Sequence, residues 1–188
     1  MLPTQITEKI WTIENVLSPL RCNELIKHSE DIGYQEATVS LPQGATMIKG
    51  LRDNYRVTFQ NSGLAKSLFK KLQAGLPIID GGSSPTGLHE TFRFYRYDKA
   101  QRFKRHIDGR VKANGQESRL TFMIYLNANF DGGETKFNDA LIQPKTGMAL
   151  LFVHEQKHES LPILKGQKYV LRSDIFYTHS NTDKPYGS

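Results

Sequence analysis

His106-Ile107-Asp108 sets an imidazole and a carboxylate two residues apart. On a strand, residues i and i+2 point to one face, so both groups can converge on one metal ion. Two ligands leave a site incomplete, and the remaining histidines are His28, His89, His154, His158 and His179. Two of these fall in His154-Glu155-Gln156-Lys157-His158, which spells the H-E-x-x-H pattern of zinc proteases. That pattern needs a helix, so that both histidines share a face with the glutamate as general base. Here Gly147 and an apolar run precede it and Pro162 follows shortly after, which is poor ground for a helix. His154 is therefore expected at a strand end rather than on a metal. The other arrangement uses His158 alone. Two histidines and one aspartate on facing strands make a facial triad, which suits Fe(II) and leaves three coordination positions open.

Lys168 lies ten residues beyond His158, after a turn containing Gly166. A hairpin there returns the chain beside His158 and can carry an ammonium into the interior. A buried lysine needs an anionic partner. The distal carboxylate of 2-oxoglutarate would be one, with the other end of that molecule chelating the metal.

These residues need a rigid frame, and the chain offers one. Phe92 to Tyr97, Leu120 to Leu126 and Tyr169 to Tyr177 are aromatic and β-branched, with shorter apolar runs at 140–142, 148–153 and 161–164. Asp131-Gly132-Gly133, Pro144 to Gly147 and Lys165-Gly166 are turn signals between them. Two helices precede this region. Ser18-Pro19 caps one that runs to about Asp31 with Gly33 as its stop. The other spans about Gly63 to Ala74, with Leu64, Leu68 and Leu72 on one face. Residues 80–87 (DGGSSPTG) are expected to form a loop. The fold class is α+β and mainly β: many short strands behind a helical layer.

Composition narrows the partners. The 188 residues are 38% hydrophobic and 23% charged, as in ordinary globular domains. No apolar run approaches the roughly 20 residues of a membrane helix. A single cysteine, Cys22, rules out an intrachain disulfide. With no secretory signal visible, a cytoplasmic protein is expected. The net charge of +6 is matched by residues 93–112 alone, which hold eight basic and two acidic side chains. Such a segment is either a solvated edge or a contact for an anionic substrate or nucleic acid.

The span from about Arg96 to Tyr177 resembles the iron(II)- and 2-oxoglutarate-dependent dioxygenases, in their prolyl 4-hydroxylase-like branch. The matching pieces are Arg96-Tyr97, Gln101-Arg102-Phe103, His106-Ile107-Asp108, Tyr125-Leu126-Asn127 and Gly132-Gly133-Glu134-Thr135. They continue as Pro144, Gly147-Met148-Ala149-Leu150, Phe152, His158-Glu159 and Gly166-Gln167-Lys168-Tyr169-Val170. The resemblance implies a double-stranded β-helix (jelly roll) with N-terminal helices packed on one sheet. It implies one dioxygenase domain over 1–188, with 1–87 as support and 88–180 as the catalytic core. His106, Asp108 and His158 would be the catalytic iron ligands. Lys168 would pair with the distal carboxylate of 2-oxoglutarate, with Tyr97, Tyr125 and Thr135 lining the cosubstrate slot. Ser160 and Ala100 stand where the family often has glycine.

Arg172 and Asp174 share a strand face with Lys168 and are candidates for substrate contact or for a mutual ion pair. Arg110 and Arg119 are further substrate candidates, and residues 50–57 (GLRDNYRV) look too polar for a buried strand and suit a lid. The implied activity is hydroxylation of an unactivated C–H bond with O2, with ascorbate in support. A prolyl residue, a free amino acid or a small metabolite would be the substrate, anionic or peptidic in character. Two rivals stand beside it. One is a nucleic-acid-directed oxidative demethylase, although such enzymes carry an arginine clamp further downstream. The other is a metal-binding jelly-roll module without turnover.

Overall fold

In the computed structural model, which describes residues 1–178 apart from 37–38, 42–43, 47–51, 80–81 and 114, the aromatic runs pair into one antiparallel sheet. Its middle strands are Gln116–Tyr125, Lys168–Tyr177 and Thr91–Tyr97, hydrogen-bonded in that order. Ala149–Val153, Ile10–Ile13 and Thr4–Thr7 extend it on one side, and Tyr55–Gln60 and Gln35–Glu36 on the other. A smaller sheet runs Leu141–Ile142, Thr135–Lys136, His158–Ser160, Phe103–His106. Asp131–Gly132 pairs separately with Ile163–Lys165. The architecture is a mainly β jelly roll, as the strand pattern implied.

Alternation along the main sheet sorts the core in two. Phe92, Phe94, Phe122, Ile124 and Leu171 join one cluster with Leu25, Leu68 and Leu72 of the helices. Tyr95, Tyr97, Tyr125, Phe152 and Val170 join the other with Phe137, Ile142 and Ile163. Each large apolar side chain buried this way contributes about 1.5–3 kcal/mol. Lys168–Tyr177 is buried along its whole length, so polar residues on it must find partners inside the protein.

Helix α1 is Pro19–Ile32: Ser18 accepts from the Arg21 N–H, and Gly33 closes it at φ 92°. Helix α2 is Ser62–Leu72, continued by a short 3-10 turn over Gln73–Gly75. It starts earlier than expected because Asn61, not a residue nearer Gly63, supplies the cap to the Leu64 N–H. Among the described residues no helix is long and apolar enough to cross a membrane.

Two expectations need correction. Pro85–Leu88 is not loop: it pairs with Lys168–Tyr177, whose buried edge supplies its hydrogen bonds. Residues 80 and 81 of that stretch lie outside the described residues. The 50–57 segment is no lid in its described part, since Tyr55–Gln60 is a strand paired with Thr91–Tyr97. Arg52 is buried there by stacking between Tyr95 and Phe103, so its charge did not keep the segment outside. Gly50 and Leu51 are outside the described residues. The two histidines lie on facing strands, as expected. Phe103–His106 and His158–Ser160 are neighbours in one sheet, with His106 and His158 as direct Cα partners.

The basic stretch 93–112 is not one surface. Strand alternation turns Arg93 to the interior cavity, while Arg96 turns outward to Glu30 at 3.1 Å and Asp98 at 3.4 Å. Arg110 and Lys112 meet Glu117.

Candidate active site

A cavity of about 430 Å³ opens between the main and smaller sheets. Asp108 lies two residues past the end of its strand, not on it as the two-residue spacing suggested. The chain nevertheless brings it back, with Asp108 Oδ1 3.5 Å from His106 Nε2 and Asp108 Oδ2 3.9 Å from His158 Nε2. One ligand atom from each residue lies within 4.8 Å of the others.

Nδ1 of His106 is 2.8 Å from the Lys104 carbonyl, and Nδ1 of His158 is 2.9 Å from the Gln156 carbonyl. A carbonyl can only accept, so each Nδ1 carries the proton and each Nε2 keeps its lone pair for a shared centre. Burial lowers the His158 pKa to about 4, against the pull of Asp108, so its imidazole is neutral near pH 7. Phe103 stacks on His106 at 3.5 Å and Phe152 packs against His158 at 4.5 Å, which fixes both rings. Two imidazole nitrogens and one carboxylate are a donor set that fits Fe(II).

Asp108 is held from behind. Burial would raise its carboxyl, but the Arg172 guanidinium at 3.3 Å, with the two histidines, keeps it well below the ordinary range. Thr121 donates its hydroxyl proton to Asp108 Oδ2 at 2.7 Å. Its oxygen must then accept from His154 Nδ1 at 2.9 Å, which leaves His154 Nε2 to accept from the Ser118 hydroxyl at 2.8 Å. His154 is thus a buried, neutral member of a hydrogen-bond chain that ends on Asp108. Residues 154–158 form a turn leading into a strand, so the helical zinc-protease geometry is absent. Glu155 lies on the surface, bonded to Arg110.

Lys168 is 1% exposed. Its Nζ donates to the Gly133 carbonyl at 2.6 Å and to Ser160 Oγ at 2.9 Å, and it lies over the rings of Tyr97 and Tyr125. Both acceptors are neutral, and one of the three ammonium protons is left over. Burial lowers the Lys168 pKa to about 7, with Glu134 as the modest opposing charge. Gly133 holds φ +69° at a point where a Cβ would run into Ile163 and press on Lys168, so a side chain there would disturb the slot. Tyr97 and Thr135 line the cavity beside Lys168. Tyr125 does not reach the wall; fully buried, it bonds to Thr135 Oγ1 at 2.7 Å. Burial holds both phenols above their usual pKa, hence protonated.

Of the residues named for substrate contact, Arg172 lines the cavity but is engaged by Asp108 and by Asp174 at 3.0 Å. Asp174 is fully buried behind it and also holds Arg93 at 3.1 Å. Arg110 is on the cavity wall, tied to Glu117 and Glu155. Arg119 is not brought to the cavity and lies in a separate depression with Glu155 and Trp11. Sequence reasoning passed over Arg52, Arg56, Arg93, Thr121 and Ser160. Alternation from Tyr95 and Tyr97 was enough to put Arg93 on the cavity face. Nothing local marked Arg52.

Comparison with known proteins gives a family and a fold. Residues 92–173 match the family model of the 2OG-Fe(II) oxygenase superfamily. Prolyl 4-hydroxylase 2 of Arabidopsis thaliana is 24% identical over 202 residues, covering 86% of this chain and 64% of that protein. Prolyl 4-hydroxylase 13 of the same plant is 21% identical, with 86% and 69% covered. Among solved structures, a viral collagen prolyl hydroxylase from Paramecium Bursaria Chlorella virus-1 in complex with 2OG superposes with a TM-score of 0.65 at 21% identity, over 90% of this chain and 96% of that one. A prolyl hydroxylase from Trichoplax adhaerens, bound to a hypoxia inducible factor peptide fragment, gives 0.67 at 18% identity, over 90% and 84%. At these identities the superpositions speak for the fold.

Proposed function

We propose that this chain, whose residues 92–173 match the 2OG-Fe(II) oxygenase superfamily model, is an oxygenase of that kind and hydroxylates an unactivated C–H bond of a prolyl residue, a free amino acid or a small metabolite. The enzyme works with Fe(II), 2-oxoglutarate and O2. In this reading His106, Asp108 and His158 hold the metal, and Lys168 takes the distal carboxylate of 2-oxoglutarate. The observation that carries it is the convergence of two Nε2 atoms and a carboxylate beside a fully buried lysine whose donors reach only neutral acceptors.

When bound, iron with 2-oxoglutarate and O2 supplies the oxidation: the cosubstrate leaves as succinate and CO2 while substrate C–H becomes C–OH. The protein supplies position and charge. Carbonyl-anchored imidazoles present fixed lone pairs, and Arg172 with Thr121 keeps Asp108 ionised and aimed. Lys168 orients the cosubstrate from its far end, and Tyr97 and Thr135 offer hydroxyls along the way. The prolyl option draws on the plant relatives named prolyl 4-hydroxylase.

Purified protein given Fe(II), 2-oxoglutarate and oxygen should form succinate slowly without added substrate. Succinate no higher than in a metal-chelated control would overturn the reading.

A further inference from the structure

Between Tyr95 and Phe103 the cavity wall holds a charge with no evident protein use. The Arg52 guanidinium lies 4.6 Å from the Tyr95 ring and 4.5 Å from the Phe103 ring. The residue is 6% exposed. Its Nε donates to Asn54 Oδ1 at 2.6 Å, while its Nη2 is buried without a hydrogen-bond partner. A buried guanidinium nitrogen left unsatisfied is costly, and the residue that carries it lines the cavity.

Arg93 stands nearby on the same wall. Strand register sets it level with Arg172, and Tyr95 level with Val170. Arg93 and Arg172 share Asp174, and Arg172 also holds Asp108, so it is Arg52 that leaves this part of the cavity with more cations than anions. The Tyr95 phenol registers the imbalance. Burial alone would raise its pKa, yet Arg172, Arg52 and Arg93 together pull it down. Arg172 is four residues along the strand from Lys168, about 13 Å at 3.3 Å per residue. A carboxylate held at Lys168 therefore does not neutralise Arg93, which is level with Arg172.

We propose that Arg52, with Arg93 beside it, receives a carboxylate or phosphate of the primary substrate, so that the enzyme is built for an anionic substrate; this rests on the hydroxylase reading above. The chemistry suits the group. A guanidinium packed against two rings loses little further freedom on binding, and a planar oxyanion meets it through paired N–H donors. With Nε committed to Asn54, the two Nη groups are what the fork has left to offer.

The test is calorimetric and anaerobic, on protein first saturated with Fe(II) and 2-oxoglutarate. The titrants are inorganic phosphate, free proline, and two capped dipeptides, acetyl-Pro-Glu-amide and acetyl-Pro-Gln-amide. At least one anionic probe should bind at one per chain, and the Glu dipeptide more tightly than its Gln partner if the source is peptidic. Free proline binding best would identify a small carboxylate, and phosphate binding best a phosphorylated one. Arg52→Gln should weaken the best anionic probe by about tenfold to a hundredfold, and Arg93→Gln by less. Arg52→Lys should recover only part of the loss, because an ammonium lacks the fork. Binding of no anion, or anion binding equal in wild type and both Gln variants, would overturn the proposal. Failure of the first saturation step in wild type would instead overturn the hydroxylase reading. Circular dichroism on each variant separates a binding loss from unfolding, and Arg93→Gln keeps the test alive should Arg52→Gln not fold.

Discussion

Lys168 and Arg52 line the same cavity, and they bury positive charge by different means. Lys168 is a compact ammonium surrounded by neutral oxygens, and burial lowers its pKa to about 7. Arg52 is a flat guanidinium stacked between Tyr95 and Phe103, and a guanidinium does not shed its proton at any ordinary pH. The lysine end is therefore a conditional charge, one that a partner carboxylate would complete. The arginine wall is a permanent one. The difference teaches how one cavity can hold two anions without confusing them: the first in a deep slot that a single carboxylate neutralises, the second along a wall that stays cationic. The same cavity holds the His106-Asp108-His158 cluster, where Arg172 links the wall to the Asp108 carboxylate.

The largest effect is expected where the two regions meet. His158→Ala removes one of three ligands and should reduce iron affinity more than about a hundredfold, beyond what loss of an outer partner typically costs. Metal analysis after dialysis reads this directly, and iron retained at wild-type level would remove His158 from the site.

Lys168→Ala tests one side of the comparison alone. It should weaken 2-oxoglutarate by about tenfold to a hundredfold, from loss of a charged hydrogen bond worth about 1.5–3 kcal/mol. Iron binding should persist. An anaerobic titration following the metal-to-ligand charge-transfer band gives the Kd, and equal values in wild type and variant would leave Lys168 outside the cosubstrate slot.

A smaller effect separates the conditional charge from the permanent one. Lys168 by itself is charged below pH 7 and increasingly neutral above it, whereas a bound carboxylate favours the charged form. Binding 2-oxoglutarate above pH 7 must then take up a proton, so its Kd should rise by up to about tenfold per pH unit. Binding of the acidic dipeptide at the arginine wall should stay flat between about pH 6 and 9. Matching pH slopes at both sites would dissolve the distinction.

Legibility in the sequence followed the range of the interactions. The helix starting at Pro19 was readable because Ser18 and Gly33 act locally, and the second began at Ser62 because the Asn61 cap was overlooked. The H-x-D pair and His158 were readable as a set, and Lys168 followed from the turn at Gly166. The Asp108 support was not. Thr121 and His154 meet only because Gln116–Tyr125 and Ala149–Val153 pair in register, a contact between residues 33 apart in sequence. Arg52 was hidden for a stronger reason. A run such as Arg52-Asp53-Asn54-Tyr55-Arg56 reads as surface by polarity, and only its pairing beside Thr91–Tyr97 puts the guanidinium between two aromatic rings. Long-range strand pairing, not composition, decided that wall.

The most direct test is a crystal structure of the protein soaked anaerobically with Fe(II) and 2-oxoglutarate, with anomalous data at the iron edge. The account predicts one iron peak bound by His106 Nε2, His158 Nε2 and Asp108, with the distal carboxylate of 2-oxoglutarate on Lys168 and the Arg52 fork still free. An iron peak elsewhere, or a distal carboxylate lying on Arg52 with Lys168 unengaged, would contradict it.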